Sequence, residues 1–191
     1  MKTVVEFRKT WQEANKDNAK ELILSGWKEK GFHPTTGIHH MGPEYKRVLD
    51  FGCGIGRNLA ALAIGREKVD GFDFPSMITQ AAQNESITGN IKIALYTDWS
   101  YVKQQQYDAI HICLVLQHMH PDEIKEKMAD FAGMTGTIFL HSRAYIDHGG
   151  GLVKDFFAPC WKVEEVYSAG ELDYLNAAKE EQHYYCRLRR V

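Results

Sequence analysis

Nothing in the 191-residue sequence approaches the ~20 consecutive apolar residues that a membrane-spanning helix needs. The N-terminus offers only Val4 and Val5 before Glu6, Arg8 and Lys9 intervene, too little for the apolar core of a secretory signal. Cysteine is sparse: Cys53, Cys113, Cys160 and Cys186 form no C-x-x-C pair and fall in separate elements. That pattern favours free buried thiols in a reducing compartment over a disulfide framework, so a cytoplasmic protein is expected. An excess of charge is also missing. Twenty-three Lys and Arg against 25 Asp and Glu leave a formal net charge of −2, which speaks against a strongly basic nucleic-acid binder. Internal repeats and low-complexity segments are absent.

What is present is the material of one globular domain. Hydrophobic residues make up 44% and charged residues 25%, enough apolar content to exclude disorder as the main state. The first thirty residues carry a broken apolar stripe of Phe7, Trp11, Leu22, Ile23 and Trp27, which reads as helix. Residues 31–43 are a turn-rich connector or lid. From Arg47 onward strands and helices alternate. Strands are expected at 47–51, 68–72, 91–96, 107–114 and 136–141. Helices are expected after Gly56, Pro75 and Pro121, since proline suits the first helical turn. The alternation predicts an α/β fold, with a mostly parallel, doubly wound sheet of about seven strands. Residues 161–168 and 183–190 read as two further strands with no amphipathic helix between them, so the sheet is expected to end in an antiparallel hairpin. The single domain divides into an N-terminal helical or lid segment (1–46), a ligand-binding core (47–141) and a C-terminal segment with the hairpin (142–191).

The sharpest motif is Asp50-Phe51-Gly52-Cys53-Gly54-Ile55-Gly56, at the end of the first strand. Glycines there permit a tight turn and a close backbone approach to a ligand. A dinucleotide loop would read G-x-G-x-x-G, but Arg57 stands where its third glycine belongs. A phosphate-cradling loop needs G-K-[ST], which is absent. A purely structural turn is the remaining alternative.

With Asp50 followed by G-x-G-x-G, the sequence resembles the class I S-adenosylmethionine-dependent methyltransferases, whose first motif matches position for position. Arg57-Asn58 is similar to tellurite-resistance-type and related small-molecule members. The resemblance covers roughly Arg47 to Leu140 and implies a Rossmann-like fold and S-adenosylmethionine as cofactor, with S-adenosylhomocysteine as product. It implies contacts from Asp50, Gly52, Cys53, Gly54 and Gly56, with loop amides for the ligand's carboxylate and an anion for its ammonium. Asp73, 17 residues past Gly56, suits the ribose hydroxyls, or else caps the helix that Pro75 opens. Phe74 and Met77 would wall the ribose and adenine. Asp98 would meet the adenine amino group and Trp99 would cover the ring, unless Trp99 is a core residue.

The run Val115-Leu116-Gln117-His118 is similar to a V-L-E-H run of that family, with Gln for Glu. Leu114 stands where many members place a polar residue, which leaves a backbone contact only. His118 follows the fourth strand and His141 ends the fifth; both are candidate general bases, with a structural role as the alternative for each. His118, His120 and Asp122 form a compact cluster, but no H-E-x-x-H or paired C-x-x-C supports a metal, and none is expected. No [DNS]-P-P-[YFW] run follows the fourth strand, as in DNA amino-methyltransferases, so a small-molecule acceptor is favoured. An RNA or protein acceptor, or a cofactor-binding module without chemistry, are the alternatives.

Overall fold

The computed structural model describes residues 40–143, 159–167 and 183–191, together with Lys9, Gln12, Glu13, Ile38 and Phe157. Most of the expected N-terminal helix, most of the 31–43 connector and residues 168–182 lie outside the described residues.

Seven strands form one sheet: β1 (Arg47–Phe51), β2 (Lys68–Phe72), β3 (Ile93–Tyr96), β4 (Ala109–Cys113), β5 (Thr137–Arg143), β6 (Trp161–Tyr167) and β7 (His183–Arg190). Their spatial order is β3-β2-β1-β4-β5-β7-β6. The first five are parallel, and β7 inserts antiparallel between β5 and β6. The alternating pattern thus places the parallel core and the reversed end as expected. The helices are α1 (Leu59–Ala63), α2 (Pro75–Ala81), α3 (Trp99–Val102) and α4 (Pro121–Met134), with a 3₁₀ turn at Leu116–His118.

Because side chains alternate across a strand, the sheet buries both faces. Leu49, Phe51, Ile110, Ile112, Ile138, Leu140, Cys186 and Leu188 pack with Ile124, Met128, Phe131 and Met134 of α4. Val48, Val69, Ala109 and Phe139 share the opposite core with Leu59, Leu62 and Ala63 of α1, Ala81 of α2, and Ile38, Met41 and Tyr45. Trp161 joins the first core and donates its indole N–H to the Met128 carbonyl at 2.8 Å. Arg66 closes α1 by donating to the Leu62 carbonyl (2.7 Å), a group the helix end leaves unsatisfied, and ties that end to the Met41 carbonyl (3.2 Å) ahead of β1.

Strand limits differ from the sequence reading at three places. β3 begins at Ile93, not Ile91, because Asn90 accepts from the Lys92 and Ile93 amides and holds residue 91 out, where it is 99% exposed. β4 spans Ala109–Cys113, because Leu114 turns to φ 58° and breaks the strand that was expected to reach it. β5 runs on to Arg143 because β7 pairs along it as far as His183.

Candidate functional site

The parallel strands β1 to β5 all end at one edge of the sheet. β1 is the switch point: its neighbours are β2 on one side and β4 on the other, and crevices in open α/β sheets form at this position. The glycine loop leaves from that strand. Gly52, Gly54 and Gly56 have φ of 72°, 58° and 80°, the left-handed region that disfavours side chains. Space is short as well. A Cβ on Gly52 would lie 2.3 Å from Val115 Cγ2, and one on Gly56 would lie 3.0 Å from Ile87 Cδ1. The spacing read from the sequence is therefore a backbone requirement at every glycine of the motif.

Several loop amides are engaged within the chain: the Gly52 and Cys53 amides donate to the Phe72 carbonyl at 2.8 and 3.1 Å, and Gly56 donates to the Cys53 carbonyl at 3.0 Å. Gly54 donates to Asp73 Oδ2 at 2.7 Å. The loop folds back over the end of β2, where Phe72 and Asp73 sit.

Asp73 stands just past β2 and accepts from two amides, Gly54 and its own neighbour Phe74 (2.6 Å). Burial pushes its carboxyl up to about 6, the two amides pull it back down, and the Asp50 charge adds to the rise. Each oxygen keeps a second lone pair, so the group can accept ribose hydroxyls while holding the loop. Phe74 is the N-cap of α2 and half-buried, but it makes no side-chain cap. Met77 turns into the interior at 1% exposure, so the structure does not bring it to the site's surface.

On the β3 side, Asp98 caps α3, accepting from the Ser100 amide (2.9 Å) and hydroxyl (2.6 Å). These bonds hold its carboxyl below the usual range, and the side chain is exposed at the rim. Trp99 belongs to an aromatic cluster, with ring centroids 5.4 Å from Phe51, 5.1 Å from Phe72 and 5.8 Å from Phe131. Its indole donates to Asp130 at 2.8 Å, and Lys127 lies over the ring at 4.8 Å. The structure thus engages this ring in the cluster that packs α3 and α4 against the sheet.

On the β4 side, Asp50 is buried at 1% and its Oδ1 is 2.7 Å from His111 Nδ1. The two residues are cross-strand partners in β1 and β4. Asp50 Oδ2 is also buried and has no hydrogen-bond partner among the described residues. Leu114 holds its left-handed turn by donating its amide to the His141 carbonyl at 2.7 Å, so that amide is already committed. Cys113 Sγ lies 3.5 Å from His141 Nδ1. Burial pushes the Cys113 thiol up to about 12, so it stays protonated. His141 is 2% exposed and stacks on Tyr185 with ring centroids 3.9 Å apart. His118 ends the 3₁₀ turn and is half-buried. His120 is not beside it as a ligand: it caps α4, accepting from the Asp122 amide at 3.3 Å while its own amide donates to Glu123. Among the described residues, no three His, Cys, Asp or Glu side chains are arranged to hold a metal ion.

Sequence reading did not identify His111 or the Cys113–His141–Tyr185 contact. The available signal for the first was a lone histidine inside the apolar run Ile110-His111-Ile112, which has to be satisfied from a neighbouring strand.

Known proteins resemble this chain in sequence and in fold. Residues 48–135 match the family described as "Methyltransferase domain". The ribosomal protein L11 methyltransferase of Photobacterium profundum is 31% identical over 111 residues, covering 53% of this chain and 38% of that protein. The chain therefore spans well under half the length of that relative. Among solved structures, a TehB-like S-adenosylmethionine-dependent methyltransferase from Corynebacterium glutamicum superposes with a TM-score of 0.64 at 17% identity, over 93% of this chain and 100% of that one. The mitomycin 7-O-methyltransferase MmcR superposes with a TM-score of 0.68 at 14% identity, over 97% of this chain and 60% of that one. At such identities the likeness is one of fold. Residues 48–135 thus match a methyltransferase-domain family, and the seven-stranded sheet has the fold of solved S-adenosylmethionine-dependent methyltransferases.

Proposed function

We propose that the chain transfers a methyl group from S-adenosylmethionine to a small-molecule acceptor by in-line substitution. The observation that carries this reading is a pair of carboxylates at the glycine loop, Asp50 buried in β1 at its root and Asp73 half-buried just past β2. Asp73, on the β2 side, offers lone pairs to ribose hydroxyls. Asp50, in β1 opposite His111 of β4, has one buried oxygen without a partner among the described residues. A buried carboxylate oxygen in that state fits a cationic group, and the ligand's ammonium is one. The site thus suits a ligand that is a nucleoside at one end and an amino acid at the other.

The cofactor, when bound, supplies a methyl group already activated on a sulfonium. The chain's own residues bind, orient and exclude water. Asp73 holds the ribose, and the glycine loop with Cys53 brings backbone close to the ligand. Asp98 stands at the rim near the adenine, with Phe74 and Trp99 as its apolar surroundings. Leu114 shapes the floor at the end of β4 through its backbone turn. Between the two candidate bases, His118 is the better placed, since His141 is shut into the sheet by Cys113 and Tyr185.

A small acceptor is supported by the likeness to mitomycin 7-O-methyltransferase and by the near-neutral charge. A protein acceptor is the second reading, favoured by the identity to ribosomal protein L11 methyltransferase. Calorimetric titration with S-adenosylmethionine, S-adenosylhomocysteine and NAD tests the proposal. Micromolar binding of the first two without the third is the expected result, and binding of NAD alone would overturn it. Asp73→Ala should weaken S-adenosylhomocysteine at least tenfold, since a charged hydrogen-bond partner contributes ~1.5–3 kcal/mol.

A further inference from the structure

We infer that His111 is a positioning residue for the amino-acid end of the cofactor, acting through Asp50. The inference rests on the reading above and adds a residue to it.

Asp50 and His111 sit opposite each other in β1 and β4, at 1% and 3% exposure, with Oδ1 and Nδ1 2.7 Å apart. An ionised carboxylate only accepts hydrogen bonds, so Nδ1 carries the proton and donates it. This bond occupies Oδ1 and fixes the plane of the carboxylate. Oδ2 is then held in one direction, buried and without a hydrogen-bond partner among the described residues. Asp50 sits in the middle strand of the three that meet here, between Gly71 of β2 and His111 of β4, two residues before the loop opens at Gly52. A lone buried carboxylate could swing between rotamers. The His111 bond holds it in one orientation in a site where the ammonium must dock.

The position of the pair predicts which part of the ligand it serves. Asp73 lies on the β2 side of β1 and His111 on the β4 side. Losing the His111 donor should therefore affect the amino-acid end and spare the nucleoside end.

Two ligands separate these ends. S-adenosylhomocysteine carries both, and 5′-methylthioadenosine carries only the nucleoside. In His111→Leu the affinity for S-adenosylhomocysteine should fall at least tenfold, while that for methylthioadenosine stays within twofold. His111→Asn places an amide donor near the Nδ1 position and should restore most of the loss. Binding of methylthioadenosine itself reports that the variant is folded. If His111→Leu does not fold, His111→Gln replaces it, a polar side chain whose donor sits one carbon further out. Equal weakening of both ligands, or an Asn variant as weak as Leu or Gln, would make His111 a structural residue and overturn the inference. A wild-type chain that binds neither ligand would instead overturn the cofactor reading itself.

Discussion

At Gly52 two independent constraints meet. The backbone is left-handed at φ 72°, and a methyl group there would lie 2.3 Å from Val115 Cγ2. The conformational penalty alone is ~1–2 kcal/mol for an L-residue. Gly52→Ala should therefore lower the melting temperature by several degrees and displace the loop from the end of β4, measured by thermal unfolding and by ligand titration. Asp73 carries a different prediction. Its carboxyl titrates near 6, and it must be ionised to accept two hydroxyls. Affinity for S-adenosylhomocysteine should fall as pH drops below about 6, and this inflection should vanish in Asp73→Asn. In the ligand-free chain the sign is opposite. Folding raises this carboxyl from 3.8, so its contribution to stability is full below that value and declines as pH rises through about 6.

Among the elements, α4 shows how a residue can be misjudged from sequence. His118, His120 and Asp122 look like a ligand cluster when written in a line. In the fold, His120 and Glu123 form reciprocal cap bonds at the start of Pro121–Met134. His120→Ala should cost ~1 kcal/mol of stability and leave metal content unchanged, which denaturant titration and elemental analysis would check. The same helix supplies Phe131, whose ring meets Phe51 at 5.0 Å and Trp99 at 5.8 Å. Phe131→Ala should destabilise by ~3–5 kcal/mol and loosen the start of α3, because a buried aromatic leaves a cavity its neighbours cannot fill. Intrinsic tryptophan fluorescence would report the second effect through Trp99.

For the whole molecule, the proposed site lies where β1, β2 and β4 end, so a ligand there ties loops from several strands together. A ligand that binds only the folded chain stabilises it by ~2.7 kcal/mol at one hundred times its dissociation constant. For a domain of this size that corresponds to a rise in melting temperature of about 5–10 °C. S-adenosylhomocysteine should produce it and NAD should not, in a thermal-shift measurement. The four cysteines are unbridged thiols, so a reducing agent should leave the melting temperature unchanged.

What the sequence determined by itself was local or periodic. The alternation of strands and helices, the reversed final pair and the glycine loop are each written in short stretches, because backbone preference and apolar period act over a few residues. Tertiary structure alone decided the partners. Asp50 and His111 are 61 residues apart and meet only because β4 pairs with β1. Trp99 is drawn into an aromatic cluster built from β1, β2 and α4, and Gly54 spends its amide on Asp73 across the loop. Leu114 ends β4 early because the His141 carbonyl and the left-handed turn hold it there. A sequence pattern names the groups that chemistry requires, but buried polar groups choose their partners from adjoining strands, and strand order is a property of the folded sheet.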